Sequence, residues 1–186
     1  MINPTTITNY DRTEAELEEF LMFAILVAGK TAKTQAKKLE QFLSNCPYAK
    51  YTPFQHLEYL VKTNTLTAEM MQYKLGQYKR LLVAFLGILR FEGKLKSVTI
   101  EDLESIKGIG SKTARFFLLH SRKNVEVAVL DTHILKWLRE QGHDAPKATP
   151  SKKKYAVLEK IFLTEALKRD ILPADLDLQI WKSYAN

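Results

Sequence analysis

Leu103-Glu104-Ser105-Ile106-Lys107-Gly108-Ile109-Gly110-Ser111-Lys112-Thr113-Ala114 is the stretch that decides the reading of this chain. Two short helical segments flank a Gly-Ile-Gly turn. The glycines reach backbone conformations closed to other residues and let a foreign backbone come close. Ile109 can plug the interior of the hairpin. The second helix would open around Ser111 to Thr113, with its first N–H groups free. Those groups and the positive end of the helix dipole suit a phosphate. Such a hairpin holds a nucleic-acid backbone without reading bases. Lys107, Gly108, Gly110, Ser111 and Thr113 are therefore the candidate DNA contacts.

The rest of the chain reads as helices. Thr13 and Glu16 form a capping box, followed by Leu17, Phe20, Leu21, Ala24, Ile25 and Ala28 at helical spacing, with Gly29 ending the run. A helix over 32–44 puts Ala36, Leu39, Phe42 and Leu43 on one face. Residues from Cys46 to Pro53 read as a loop, and 54–62 and 67–75 as short helices. Over 79–91, Leu82, Phe85, Leu86 and Leu89 are expected inward, with Lys79, Arg80 and Arg90 toward water. Thr99 and Asp102 form a second capping box, opening a helix that runs to Ile106. A helix over 111–120 follows the turn. Val125 to Leu130 is strand-like in composition but has no strand to pair with, so it reads as a buried extended link. Asp131 opens a helix to about Gln141. Helices over 151–168 and from Pro173 to about Trp181 complete an all-α chain of nine or ten helices.

Bulk properties bound the function. The 186 residues are 46% apolar and 26% charged, a globular balance with room for a core. Cys46 is the only cysteine, which excludes an internal disulfide and any four-cysteine zinc or iron–sulfur site. His56, His120, His133 and His143 show no metal-ligand spacing, so neither a metal nor another cofactor is expected. The longest apolar run, Phe20 to Ala28, is too short to span a bilayer. No secretion signal is recognisable, and the expected setting is intracellular: cytoplasmic and nucleoid-associated in a prokaryote. The net charge of +7 fits a polyanionic partner. Ribosomal and membrane-surface proteins share that property.

Lys112-Thr113-Ala114 follows the glycine turn directly, and Leu130-Asp131-Thr132-His133 comes nineteen residues after Lys112. Together these resemble the helix-hairpin-helix/GPD DNA glycosylase superfamily, with the strongest match over 99–140 and a weaker one over 20–32 and 77–89. The resemblance implies a single two-lobed helical domain over 1–186, the hairpin at about 99–121, and a DNA-binding cleft between the lobes. It also implies a monomer acting on double-stranded DNA that carries a damaged base. In this family the lysine matching Lys112 marks members that also nick the strand, and the aspartate matching Asp131 stabilises charge on the sugar or helps activate the lysine. A lysine amine can attack C1′, expel the base and leave a Schiff base that favours loss of the 3′ phosphate. The amine must be neutral to attack. A place in the first turn of a helix, near Lys107, favours that form. The target nucleotide must leave the stack to be reached. Taken singly, Lys112 reads as a solvated or phosphate-binding lysine and Asp131 as a helix cap. The pairing in one pattern turns both toward catalysis. His133 stays structural.

Base specificity lies outside these motifs. Endonuclease III relatives, which act on oxidised pyrimidines, usually carry a four-cysteine cluster that this sequence cannot build. Ala128-Val129-Leu130-Asp131 followed by His133-Ile134-Leu135-Lys136, together with Asp175 to Lys182, is similar to the small archaeal-type 8-oxoguanine DNA glycosylase/AP lyases. The resemblance points to 8-oxoguanine, with a cluster-free pyrimidine glycosylase, a monofunctional glycosylase and a non-catalytic hairpin module as alternatives. Those relatives end in a lysine that contacts the oxidised base, whereas this sequence reads Trp181-Lys182-Ser183-Tyr184-Ala185-Asn186. Lys182 and Trp181 are the candidate base contacts there, and Trp181 also fits a core anchor. Gly29 and Lys30, with Thr31, align with the region that fills the gap of a flipped base. They fit a plain helix-to-loop junction equally well. Lys147 and Lys152 to Lys154 read either as phosphate contacts or as a solvated basic loop. Phe85, Phe116, Phe117 and Trp137 read as core.

Overall fold

The computed structural model describes residues 2–48 and 50–184. Among them there are helices and loops and no β-strand. A 3-10 turn at Pro4–Thr6 precedes α1 (Glu14–Leu26), α2 (Ala32–Ser44), α3 (Pro53–Lys62), α4 (Leu66–Gln72), α5 (Tyr78–Leu89), α6 (Ile100–Ser105), α7 (Ser111–Ser121), α8 (Thr132–Glu140), α9 (Lys152–Lys168) and α10 (Pro173–Tyr184). None is long and apolar enough to cross a membrane. The contacts divide the chain into two compact units, Met1–Ile7 with Asp11–Phe117, and Thr8–Tyr10 with Leu118–Asn186. The division falls inside α7.

In the first unit α1 is the central helix. The Thr13–Glu16 capping box forms as expected. From Phe20 to Leu26 the helix is buried on every side, because Met22, Phe23 and Leu26 are covered as fully as the predicted face, while Ala28 is half-exposed. A helix apolar on every side is a helix surrounded by others, and α2, α3 and α5 pack against it. Thr52 and Gln55 form a capping box with Pro53 at the first turn, so α3 begins inside the stretch expected to be loop. The face of α5 is shifted from the predicted one. Leu81, Ala84, Phe85 and Ile88 are buried, and Leu82, Leu86 and Leu89 are half-exposed. The cause is size: Ala84 and Gly87 leave a shallow strip that receives the turn after α6. Arg80 does not face water either, since its guanidinium donates to the Ile25 carbonyl at 2.8 Å.

The second unit is built on α8, α9 and α10. Its core comprises Leu135, Leu138, Leu158, Phe162, Leu176 and Ile180, with Ala128 and Leu130 from the link before α8. Trp137 is half-buried, edge-on to Phe162 at 6.2 Å, with the Arg169 guanidinium over its ring. α10 runs beyond the expected end at Trp181 to Tyr184. The N-terminal residues join this unit through His120, whose Nδ1 shares a hydrogen bond with the Thr8 hydroxyl at 2.8 Å. Its Nε2 meets Asp177 at 3.1 Å.

Candidate active site

The hairpin forms where the sequence placed it. Thr99 caps α6 in a capping box with Asp102. The Ile109 N–H closes the turn onto the Ile106 carbonyl at 3.0 Å. Gly108 has φ of +100°, and a Cβ built there would lie 2.9 Å from the Ala84 Cβ and 3.2 Å from its Cα. Only glycine combines that dihedral with that closeness. Gly87 on α5 does the same service for Ile106, whose Cγ2 would stand 2.7 Å from an added Cβ. Ile109 is buried, as expected of a plug. The Arg115 guanidinium ties the two helices together by donating to Glu104 at 2.9 Å.

The outer side of the turn is open. Gly110 is exposed, and an added Cβ would meet nothing within 4 Å. Its carbonyl accepts the Ala114 N–H at 3.0 Å, the first backbone bond of α7. The N–H groups of Ser111, Lys112 and Thr113 therefore precede any intrahelical acceptor. Ser111 and Lys112 are half-exposed, Thr113 is buried and Lys107 is exposed. One element thus presents the turn glycines, three backbone donors and the Lys112 amine together.

Asp131 belongs to the second unit. It caps α8 with one carboxylate oxygen, Oδ1, which accepts from the His133 and Ile134 N–H groups, both at 2.9 Å. Oδ2 carries no hydrogen bond among the described residues and the side chain is half-buried. The cap uses Oδ1 alone. His133 stacks on Tyr184 at 5.9 Å, which fits a structural part.

Of the proposed base-pocket residues, Gly29 and Lys30 lie in the first unit and Trp181 and Lys182 in the second. Gly29 has φ of +72° and is exposed. The Lys30 amine donates to the Leu75 carbonyl at 2.5 Å and lies 3.1 Å from where Gly76 would carry a Cβ. Burial, with Arg80 and Lys38 beside it, holds Lys30 below the ordinary lysine range. Two further contacts gather at this junction: Gln77 Nε2 donates to the Ala28 carbonyl at 3.4 Å, and Lys38 donates to the Lys74 carbonyl at 2.6 Å. Gly76 and Gln77, both at positive φ, turn the chain into α5 beside these contacts. Trp181 is half-buried and Lys182 exposed; Ala185 and Asn186 lie outside the described residues. Of the basic loop, Lys147, Lys152 and Lys153 are exposed, while Lys154 pairs with Asp144. No group of three metal-ligating side chains gathers among the described residues.

The hairpin and the helical arrangement are those of the helix-hairpin-helix DNA glycosylases. The crystal structure of Methanocaldococcus jannaschii 8-oxoguanine DNA glycosylase superposes with a TM-score of 0.71, covering 95% of this chain and 81% of that one at 22% identity. The structure of the same organism's glycosylase/lyase in complex with 15mer DNA containing 8-oxoguanine gives 0.68, covering 94% and 83% at 23% identity. The family model for 8-oxoguanine DNA glycosylase matches residues 5–171, and the chain belongs to that family. The 8-oxoguanine DNA glycosylase/AP lyase of Metallosphaera sedula is 36% identical over 81 residues, 44% of this chain and 39% of the relative. The chain spans less than half the length of the curated relatives it matches.

Proposed function

We propose that the chain is a base-excision DNA glycosylase with β-elimination AP lyase activity, and that its substrate is duplex DNA containing 8-oxoguanine. The observation that carries the reading is the place of Lys112. It stands in the first turn of α7, on the same element as three backbone donors and an open glycine edge suited to a phosphate. An amine held beside a bound sugar-phosphate backbone is within reach of a sugar carbon. Lys107, Gly108, Gly110, Ser111 and Thr113 hold the backbone in this reading. Trp181, Lys182, Gly29 and Lys30 are assigned to the neighbourhood of the displaced base.

The Lys112 amine attacks C1′ with its lone pair, and the bond from C1′ to the base breaks with the base taking that electron pair and a proton. Loss of the amine proton and opening of the sugar give an iminium ion. Removal of a C2′ proton then expels the 3′ phosphate. In this reading Asp131, through the carboxylate oxygen not used in its cap, stabilises the positive charge that develops on the sugar as the base leaves. The relatives' names and the complex with 8-oxoguanine DNA support the choice of lesion.

Borohydride reduction tests this directly. Wild type should be trapped covalently on a duplex containing 8-oxoguanine, and Lys112→Gln should give no adduct. Failure to trap on every oxidised-base duplex and on an abasic site refutes the reading. DNA binding with equal cleavage by wild type and Lys112→Gln would leave a non-catalytic hairpin module instead.

A further inference from the structure

The link before Asp131 carries more polar engineering than a connector needs. Val127, Ala128, Val129 and Leu130 are buried without helix or strand, and buried backbone groups must find partners. Two side chains of α9 supply them. The Tyr155 hydroxyl donates to the Ala128 carbonyl at 2.8 Å and accepts the Leu130 N–H at 3.1 Å. Glu159, one helical turn on, accepts the Ala128 N–H through Oε1 at 2.9 Å. The Asp131 N–H then turns back onto the Val129 carbonyl at 2.7 Å. Asp131 is thus fixed from behind by the clamped link and from ahead by its own cap on α8.

We propose that Tyr155, together with Glu159, is a positioning residue for Asp131, setting where the free carboxylate oxygen stands during base release. The inference rests on the role proposed above for Asp131. The competing view is that Tyr155 fills the core and its hydroxyl is incidental. Tyr155→Phe separates the two because it keeps the ring, itself only 3% exposed, and removes both hydrogen bonds.

The experiment measures single-turnover excision of 8-oxoguanine, DNA affinity, and amide hydrogen exchange at Ala128 and Leu130. Tyr155→Phe should slow excision by roughly ten- to a hundredfold through misplacement of the carboxylate. It should leave DNA affinity within about twofold, since Tyr155 is not one of the residues assigned to hold the DNA backbone. Exchange at the two amides should quicken. In an Asp131→Asn background the same substitution should cost nothing further. Glu159→Gln, which keeps an acceptor oxygen, should retain more activity than Glu159→Ala. Wild-type excision by Tyr155→Phe, unchanged exchange, or an equal loss in the Asp131→Asn background overturns the clamp. A wild type that excises no oxidised base overturns the function reading instead, a result that no active wild type with an unimpaired Tyr155→Phe can be mistaken for.

Discussion

Gly108→Ala tests the seat of the hairpin. The residue sits at φ of +100°, and the new methyl would stand 2.9 Å from the Ala84 Cβ and 3.2 and 3.3 Å from backbone atoms of α5. An L side chain in such a conformation costs about 1–3 kcal/mol. The contact cannot be relieved by turning a flexible side chain, because Ala84 has none, so overpacking adds about 1–3 kcal/mol. A loss of about 3 kcal/mol lies inside the combined range. At roughly 2–4 °C per kcal/mol for a chain of this size, the midpoint of thermal unfolding should fall by about 6–12 °C. Gly110→Ala is the control. Its added methyl meets nothing within 4 Å and its φ is not positive, so the cost is that of a poorer cap, about 1 kcal/mol or less. Yet the methyl projects where a phosphate would approach, so DNA affinity should drop several-fold with little change in melting. Calorimetry and a binding titration on the two variants read both quantities. A Gly108→Ala protein melting within about 1 °C of wild type would refute the reasoning.

Asp131→Asn keeps a good helix cap and should melt close to wild type, whereas Asp131→Ala should lose about 1 kcal/mol. Excision should collapse in both, and an Asn variant as active as wild type would reduce Asp131 to its cap. Burial pushes His56 below the ordinary histidine range, the Phe42 backbone and the Glu69 carboxylate opposing in part. Below pH ~6.5 the unfolded chain takes up a proton that folded His56 refuses, so stability present above that pH is lost as pH falls. Arg169 and then Lys168 hold Glu165 down to about 2, which adds a second loss between pH ~4.5 and about 2. Denaturant melts across pH should show both limbs, and His56→Leu should flatten the first alone. Lys107 is exposed at the turn; Lys107→Ala should lower the slope of log affinity against log salt by about one phosphate's share, and an unchanged slope would remove it from the interface.

Local chemistry was legible in the sequence where the reason for a structure lies within a few residues. The capping boxes at Thr13 and Thr99, the Gly108 turn and the Asp131 cap each depend on neighbours in the chain, and each formed. The same rule would have found Thr52-Pro53-Phe54-Gln55, which meets the capping-box pattern with proline at the first turn. The face of α5 was not legible. Between Leu81 and Leu89 almost every position is apolar, so periodicity leaves the phase open, and small Ala84 and Gly87 settle it by what they admit. Arg80 is expected toward water by its charge, but a carbonyl distant in sequence holds it. No spacing rule couples Tyr155 to Ala128, 27 positions away.

Residues Thr8–Tyr10 count with the second unit although Asp11 onward counts with the first. A ribosome therefore releases one piece of the second unit before most of the first and must finish α10 before that piece has its setting, because His120 lies between Thr8 and Asp177. No single cut frees either unit whole. A fragment starting at residue 118 would lack the hydroxyl that meets His120, and its instability would say nothing about the strength of the remaining core. Dissection of this protein calls for a circularly permuted or two-piece design that carries the N-terminal residues along.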